Sequence, residues 1–364
     1  MSNLLEKASI VTTPTAYDDG KILSVKPAPS LGSELITNGD FATDSDWTNY
    51  DFLSDAKYIR QTLLSGGFVA GKVYKINFDI TSGTAYMNVS SNGGGLISLN
   101  TYSVGSYSIQ VTASASGSDL LIYGRNTSGT AFSIDNISVK QVIDGDFDFT
   151  RNSSATRVNS QGLIEDITSN LPRIDYTGGV GHWLFEPQST NLILQSENLS
   201  NMQIAYGGAI ALDSNFINPS GQNGSYFIYD TDGGTQSRFR ISNSGFTLGD
   251  KLSYSVFLKS NSSSLITIGG NYGGENCTFN VGSKTLISQG AAVNSYEIIN
   301  FTNGWTRYVV NTTFTNTVPG NAYPFFTTNA TLSEKIYLWG HQLEVQSFAT
   351  SYIPTNGSTV TRLQ

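Results

Sequence analysis

The sequence predicts an all-β protein with two antiparallel β-sandwich domains, an extended N-terminal arm and a mainly β connector. Two observations carry this prediction. Only 13% of the 364 residues are charged, about half the usual share, while Ser (47), Thr (37), Asn (31) and Gly (37) supply most of the polarity. Short alternations of apolar and polar residues recur between turn residues, and no helical period accompanies them.

Residues 1–30 are predicted to form the arm and a short linker. The first 26 residues contain a weak alternation typical of an extended segment, and Pro27 and Pro29 then interrupt it, because proline fixes its own φ and restricts the residue before it. Leu4 and Leu5 are among the few apolar residues of the arm. We therefore expect the arm to lie on another domain or on another molecule.

Residues 31–143 are predicted to form the first sandwich. Residues 73–81 alternate between apolar and polar side chains, which is the period of a strand with one buried face. Glycine-rich turns separate this strand from five further predicted strands, at 85–89, 96–99, 107–113, 119–123 and 132–141. Regularly spaced short strands of this kind favour a two-sheet antiparallel sandwich.

Residues 144–190 are predicted to form the connector. The segment is charged and rich in turn residues, but it also contains Phe147, Phe149, Trp183 and Phe185. So many aromatic side chains are atypical of a free linker, and we expect the segment to be ordered. Short strands are predicted at 155–158, 163–167 and 183–185.

Residues 191–364 are predicted to form a second sandwich arranged like the first. Both domains close on an alternating strand, at 132–139 and at 336–345. Self-similarity at a period above 100 residues suggests duplicated domains rather than a solenoid. The second domain is the longer one, and we expect its surplus in loops such as 269–274.

Composition excludes several classes of protein. No stretch of the chain approaches the roughly 20 apolar residues of a membrane helix, so no membrane insertion is expected. One cysteine, Cys277, excludes an intrachain disulfide and a cysteine-based zinc site. The net charge of −8 and the absence of a basic cluster argue against a nucleic-acid partner.

Four segments of the sequence resemble virion proteins of tailed bacteriophages, especially the head-spike and tail fibres of marine phages. They are MSNLLEKASIVTTPTAYDDGKILSVKP in the arm, DGDFDFTRNSSATRVNSQGLIEDI in the connector, and FEPQSTNLILQSENLS and SYIPTNGSTVTR in the remainder. The resemblance implies a structural protein at the virion surface, assembled in the cytoplasm of a bacterial host. It also implies attachment to other virion proteins through the arm and self-association, with a trimer expected because phage fibres are commonly trimeric.

The first sandwich opens on NGDFATDSDW and ends on FSIDNISVKQV, which resemble the jelly-roll family of carbohydrate-binding modules. The resemblance implies a jelly-roll fold for this domain. It further implies a structural Ca²⁺ bound by acids near the first and last strands, and here Asp40 and Asp135 are the matching positions. Roles in turns and strand ends remain the alternative for both acids.

Glycan binding would use aromatic rings, which stack on the apolar face of a sugar while polar groups bind its hydroxyls. The principal candidates are Trp47 and Tyr50 in the first sandwich and Tyr206 and Tyr272 in the second. Six further tyrosines are considered with them: Tyr58, Tyr86, Tyr102, Tyr107, Tyr226 and Tyr229. We expect at least half of all these rings to be core residues or cross-strand pairs.

No enzymatic activity is expected. His182 and His341 have no neighbouring nucleophile in a known pattern, and we expect structural roles for them. Paired carboxylates can hydrolyse glycans, but the available acids are concentrated in the connector and are expected to be solvated surface groups. The acids in question are Asp144, Asp146, Asp148, Glu165, Asp166, Asp175 and Glu186.

Three functions therefore stay open at this point. The first is a fibre or spike that contacts glycans of the host surface. The second is a decoration protein that stabilises the capsid without a receptor role. The third, ranked last, is a polysaccharide depolymerase.

Overall fold

The computed structural model describes most of the chain. The described residues are 8, 10–18, 20–26, 28–43, 45–48, 57–125, 131–231, 233, 237–241, 246–260, 262, 264–270, 274–315, 325–328 and 334–364. Within them, all regular structure is β-strand except two short 3-10 helices, Leu64–Gly66 and Leu199–Asn201. Neither of these helices has the length and apolar character to cross a membrane. The predicted all-β fold class is confirmed.

The chain forms two compact units. The first contains the described residues up to Thr12 together with Ser24–Asp146, and the second contains Thr13–Leu23 and Phe147–Gln364. The described connector therefore lies almost entirely in the second unit, with the second sandwich. The domain boundaries expected from the sequence, after residues 30, 143 and 190, stay predictions.

The arm is a β-hairpin. Its strands are β1 (Val11–Asp18) and β2 (Lys21–Lys26), and Gly20 turns between them with a φ of 68°, a conformation that glycine adopts without strain. The far edge of β2 pairs with Phe147–Asp148 and buries Ile22. Both strands are extended, as predicted, and the pairing of β2 with β1 and β11 satisfies part of their backbone groups within the chain.

Eight strands build the first sandwich. They are β3 (Ser30–Glu34), β4 (Lys57–Thr62), β5 (Val73–Ser82), β6 (Ala85–Ser91), β7 (Gly94–Tyr102), β8 (Gly105–Thr112), β9 (Asp119–Gly124) and β10 (Ser133–Ile143). One sheet has the order β3-β10-β5-β8 and the other has the order β4-β9-β6-β7. Each sheet pairs strands from the two ends of the domain, which is the winding of an eight-stranded jelly roll.

The alternation in β5 shows how the sequence builds this core. Tyr74, Ile76, Phe78 and Ile80 are at most 1% exposed, while the residues between them point outward, because successive side chains of a strand face opposite ways. Each large apolar side chain buried in this way stabilises the fold by about 1.5–3 kcal/mol. The facing sheet supplies the buried residues Ala85, Met87, Val89, Leu120 and Ile122.

The connector consists of short strands. They are β11 (Phe147–Asp148), β12 (Ala155–Val158), β13 (Ile164–Ile167), β14 (Ile174–Asp175), β15 (His182–Trp183) and β16 (Ser189–Asn191). β12 pairs with β13, and β14 pairs with β15. β16 pairs with the last strand of the chain, so the connector and the C-terminus are held together.

The second sandwich and the C-terminus contribute thirteen strands. They are β17 (Gln203–Tyr206), β18 (Gly208–Ile217), β19 (Asn223–Asp230), β20 (Ser237–Arg240), β21 (Lys251–Lys259), β22 (Leu265–Gly269), β23 (Asn276–Asn280), β24 (Thr285–Gln289), β25 (Val293–Asn300), β26 (Thr306–Thr313), β27 (Phe325–Thr328), β28 (Ile336–Glu344) and β29 (Val360–Arg362). The sheets have the orders β18-β19-β28-β21-β26-β25 and β17-β20-β27-β22-β23-β24.

The second sandwich contains the same jelly roll as the first, enlarged at its edges. The strands β19-β28-β21-β26 and β20-β27-β22-β23 repeat the strand order of the first domain, and β17, β18, β24 and β25 extend the four edges. The surplus length was expected in loops such as 269–274, of which 271–273 lie outside the described residues. That expectation is wrong in that four added strands use much of the surplus.

Strand β21 is buried on both of its faces. Tyr254 and Val256 are fully buried and point into the sandwich, whereas Phe257 points the other way and is only 1% exposed. Phe257 contacts Trp339 at 5.4 Å and Tyr352 at 6.1 Å between ring centroids. Together with Ile164 and Trp305 these residues form a second, smaller core between the sheet and the connector.

The carboxylate of Glu186 joins three segments of the chain at this second core. It lies 2.9 Å from Nη2 of Arg173 in the connector and 3.6 Å from Nη2 of Arg362 in β29. It also accepts hydrogen bonds from the backbone N–H of Ser351 at 2.7 Å and from the Ser351 hydroxyl at 2.6 Å. Burial alone would raise the pKa of Glu186, but the two arginines and Ser351 outweigh it and lower that pKa.

We predict that Glu186→Gln destabilises the protein by about 3–5 kcal/mol, because it leaves two buried guanidinium groups without their counter-ion. Glu165→Gln is the matched control, since Glu165 pairs with Arg157 at 2.7 Å where both side chains are more exposed. The Glu165→Gln substitution should lower the free energy of unfolding by at most about 1 kcal/mol. Urea unfolding of both variants measures the difference, and equal losses would contradict the structural role of Glu186.

The pH dependence of stability in wild type and in Glu186→Gln gives a second test of the same carboxylate. A carboxylate whose folded pKa is lowered stabilises the fold above its unfolded pKa, here near the ordinary value of 4.5, and that stabilisation is lost as the pH falls through the folded pKa. The stability difference between wild type and Glu186→Gln should therefore be constant above about pH 6 and shrink in more acidic solution.

Candidate functional site

The outer surface of the sheet β4-β9-β6-β7 in the first sandwich presents aromatic rings. In β9, Leu120 and Ile122 point into the core, so Leu121 and Tyr123 point outward. Tyr58 in β4 is the register partner of Tyr123, and the centroids of the two rings are 5.1 Å apart. The cross-strand pairing thus places two tyrosine rings side by side on the surface of the sheet.

Polar groups surround the tyrosine pair. The guanidinium carbon of Arg125 lies 5.0 Å from the centroid of the Tyr123 ring, within the range of a cation–π contact. Arg125 Nε donates a hydrogen bond to Asn88 Oδ1 at 3.3 Å, and the backbone N–H of Arg125 donates to the carbonyl of Tyr86 at 2.7 Å. Tyr86 is 42% exposed. We call Tyr58, Tyr86, Asn88, Tyr123 and Arg125 the aromatic face.

A buried carboxylate links β4 to β9 beside the tyrosine pair, on the same outer side of the sheet. Asp119 is 1% exposed and accepts hydrogen bonds from Arg60 Nη2 at 2.5 Å and from the Thr62 hydroxyl at 2.7 Å. Both partners belong to β4, and Asp119 belongs to β9. These bonds hold β4 in register with β9, and therefore hold the ring of Tyr58 beside that of Tyr123.

The opposite sheet of the first sandwich has a different outer surface. Along its central strand β5, the outward residues between the core positions include Lys75, Asn77 and Asp79, and no outward side chain of β5 is aromatic. On β3, the Glu34 carboxylate accepts hydrogen bonds from the Ser138 hydroxyl at 2.6 Å and the Val139 backbone N–H at 2.7 Å. The rings of the aromatic face thus lie on the sheet that does not contain β5.

The structure places the principal glycan-binding candidates as follows. Trp47 packs against Phe41 at 5.1 Å between ring centroids, and its Nε1 donates to the carbonyl of Asn38 at 2.9 Å. Tyr50, Tyr272 and the side chain of Tyr206 lie outside the described residues. A glycan role for these four residues stays a prediction.

Among the other tyrosines considered, the structure separates surface rings from core rings. Tyr102 is 5% exposed and Tyr107 stacks on Phe78 with centroids 5.2 Å apart, so both belong to the core of the first sandwich. Tyr58 and Tyr86 belong to the aromatic face. In the second sandwich, the Tyr226 hydroxyl donates to Asn198 and the ring of Tyr229 lies 5.5 Å from that of Phe227.

Sequence reasoning missed three members of the aromatic face, Asn88, Tyr123 and Arg125. The sequence around β9 carries no signal for them, because Leu120, Leu121, Ile122 and Tyr123 are consecutive apolar or aromatic residues without alternation. Only the pairing of β9 with β4 and β6 shows which of these side chains point outward.

Of the two acids expected to bind calcium, Asp40 lies in the turn after β3 and Asp135 lies in β10. Asp40 Oδ1 accepts from the backbone N–H of Ala42 at 3.4 Å, and Asp135 Oδ1 accepts from that of Asn136 at 2.7 Å. The backbone N–H of Ile137 donates to the carbonyl of Gly39, which joins this turn to β10. The described residues include no group of three or more His, Cys, Asp or Glu side chains placed to hold a metal ion. The calcium site stays a prediction.

Two connector acids are not the solvated surface groups that the sequence suggested. Asp175 is 4% exposed and accepts from the backbone N–H groups of Val158 and Thr177, each at 2.8 Å. Glu186 is held by arginines, as described above. The expectation of solvated carboxylates is wrong for both, because each satisfies buried donors that water does not reach.

The two histidines have different surroundings. His182 is half-exposed, and its Nε2 lies 3.9 Å from Asp175 Oδ1. His341 is fully buried, and its Nδ1 lies 2.7 Å from the hydroxyl of Tyr254. Burial lowers the pKa of His341 to about 3, so its ring is neutral at pH 7.

Strand order and surface together define the class of protein: an all-β chain with two jelly-roll sandwiches, the first of which has an aromatic outer surface. No protein-family model matches the chain. No curated protein matches it either.

Three solved structures are similar to parts of this architecture. The tandem CBM22-1–CBM22-2 domain of Paenibacillus barcinonensis Xyn10C is 10% identical, with a TM-score of 0.28, and the match covers 88% of this chain and 99% of that one. A structure of promiscuous carbohydrate-binding modules from the β-sandwich superfamily is 10% identical, with a TM-score of 0.23, and the match covers 87% and 98%.

The third structure is the enzymatically active domain of tailspike protein 4 of bacteriophage CBA120. It is 14% identical, with a TM-score of 0.28, and the match covers 41% of this chain and 20% of that one. All three TM-scores are below 0.5, so we base the jelly-roll assignment on the strand order of this chain alone.

Proposed function

We propose that this chain is a structural protein of a bacteriophage virion, displayed on the particle, and that the aromatic face of its first sandwich binds glycans of the host surface. The observation that carries the glycan proposal is the pairing of Tyr58 with Tyr123 on the outer side of the sheet, with Arg125 and Asn88 beside the rings.

The chemistry of this surface suits a sugar. Aromatic rings cover the apolar C–H face of a pyranose, and the adjoining guanidinium and amide groups bind its hydroxyls. Arg125 and Asn88 already contact each other, so little side-chain entropy is lost when they bind a ligand. Each hydrogen bond contributes about 0.5–1.5 kcal/mol net, which is typical of weak and multivalent glycan recognition.

The virion proposal rests on the amino-acid sequences of the arm and the connector, which resemble those of phage head and tail fibres. In this proposal the protein is assembled in the bacterial cytoplasm, attaches to other virion proteins through its N-terminal arm and associates with itself as a trimer. The second candidate function is that of a decoration protein without a receptor role, because the arm would attach such a protein to the particle in the same way.

We also propose that the protein is not an enzyme. Three of the seven connector acids are engaged as structural acceptors: Glu186 with Arg173, Asp175 with backbone N–H groups, and Glu165 with Arg157. A general acid must instead be able to exchange its proton at the scissile bond. Release of reducing ends from host polysaccharide by the purified protein would overturn this proposal.

We predict that Tyr123→Ala weakens binding to glycans selected on an array by at least about tenfold, or about 1.4 kcal/mol, because it removes the ring that both Tyr58 and Arg125 contact. Phe185→Ala is the matched control, since Phe185 is 65% exposed and lies in the second unit. Isothermal titration of the full chain measures both affinities.

The outcomes of this titration separate the candidates. Unchanged affinity in Tyr123→Ala, or an equal loss in Phe185→Ala, would contradict binding at the aromatic face. If the wild-type protein gives no hit on host-derived glycans, a decoration role is favoured instead. The melting temperature of each variant shows whether a loss of binding reflects unfolding.

We predict that deletion of residues 2–9 reduces incorporation of the protein into phage particles by at least about tenfold, by removing the proposed attachment segment. This deletion spares β1 and β2, whose pairing with β11 supports the second unit. Quantitative mass spectrometry of purified particles measures the copy number. Full incorporation of the deleted protein would contradict attachment through these residues.

A further inference from the structure

Arg307 is a buried cation that has no carboxylate within ion-pairing distance among the described residues. It lies in β26, opposite Phe257 of β21 and Ile299 of β25, and is 7% exposed. Its Nη2 donates to the Ser255 hydroxyl at 2.8 Å, and its guanidinium carbon lies 5.5 Å from the centroid of the Phe257 ring. Within the described residues its Nε has no hydrogen-bond partner and none of its nitrogens has a carboxylate within 4.0 Å.

Two other buried arginines of the same unit, Arg173 and Arg151, are satisfied more fully. Arg173 pairs with Glu186 at 2.9 Å and also donates to Thr156 and Ser351. Arg151 donates to three backbone carbonyls. Burial lowers the pKa of Arg307, and the more distant Glu344, Glu186 and Glu297 raise it. Because guanidinium groups stay protonated in proteins, Arg307 carries a charge that its surroundings neutralise only at a distance.

Arg307 lines a cavity between the connector and the sheet. The cavity has a volume of about 240 Å³, slightly less than the roughly 300–1,000 Å³ of pockets that bind drug-sized molecules. All its lining residues belong to the second unit. Its walls are largely apolar and include Ile164, Phe257, Ile299 and Phe301, so a bound molecule would need a polar end and an apolar surface.

The other charged residues of the cavity wall have partners. Arg157 pairs with Glu165, Asp175 accepts two backbone hydrogen bonds, and Glu186 is neutralised by Arg173 and Arg362. Among the described lining residues, Arg307 is thus the one arginine that lacks a carboxylate partner. A single guanidinium balances one negative charge and offers a planar pair of N–H donors, which suits a carboxylate better than a phosphate dianion.

We propose that this cavity binds a small carboxylate the size of one uronic acid, with its carboxylate on Arg307 and its ring against the aromatic wall. The ligand is either a free uronate or a uronic acid unit of a polysaccharide. The site is in the second unit and does not depend on the aromatic face, so either proposal can fail without the other.

Titration of the full-length protein with glucuronate, glucose and acetate, followed by isothermal calorimetry, tests the proposal. Glucuronate should bind at least tenfold more tightly than glucose, which lacks the carboxylate, and than acetate, which lacks the ring. Arg307→Met should weaken glucuronate binding by at least tenfold, and Arg307→Lys by less. Arg240→Met, the same substitution on the opposite sheet of the sandwich, should leave the affinity within twofold of wild type.

Several results would overturn the proposal. They are absence of glucuronate binding, equal binding of glucose or acetate, and unchanged binding in Arg307→Met. A uronate oligosaccharide tested in parallel separates the two sources: tighter binding than the monosaccharide indicates a polymer unit, and weaker binding indicates a free uronate. If Arg307→Met does not fold, a bromide-soaked crystal of the wild type decides instead, since the proposal requires an anomalous peak at Arg307 and its absence would refute it.

Discussion

The second unit depends on the burial of the Glu186 carboxylate among donors from three distant parts of the chain. Arg173 belongs to the connector, Ser351 to the segment after β28, and Arg362 to the last strand. Ion pairs this deeply buried add little net stability but penalise strongly any arrangement that leaves one charge unpaired. They therefore specify how the connector and the C-terminus lie on the sheet, while Phe257, Trp339 and their neighbours supply the apolar contact area.

The two jelly rolls have the same strand order but different surfaces, because the connector and the C-terminus cover one sheet of the second sandwich. In the second sandwich the outer side of the sheet containing β21 is packed against the connector, which leaves the cavity beside Arg307. In the first sandwich, the aromatic face lies on the outer side of the sheet containing β9. On that same side, Asp119 accepts hydrogen bonds from Arg60 and Thr62 and so holds β9 in register with β4. The two domains thus differ in what covers each sheet, and not in strand order.

The sequence alone was sufficient to locate strands whose pattern lies in consecutive residues. Alternation located β5, because one buried face imposes a period of two, and short runs between turn residues located β9 and β12 to within a residue or two. It missed β4, whose partner β9 lies far along the chain, and it could not show that Asp175 and Glu186 are buried, since their partners are also distant. For the site, it proposed Tyr58 and Tyr86 but had no means of showing that Tyr102 points inward while Tyr123 points outward beside Arg125.

Glycan binding at the aromatic face of the first sandwich is tested most directly by a crystal structure of the full-length protein with a bound oligosaccharide. We expect density for a sugar ring stacked on Tyr58 and Tyr123, with hydroxyls within hydrogen-bond distance of Arg125 and Asn88. Density for the sugar at any other surface of the first sandwich, with the aromatic face unoccupied, would contradict it.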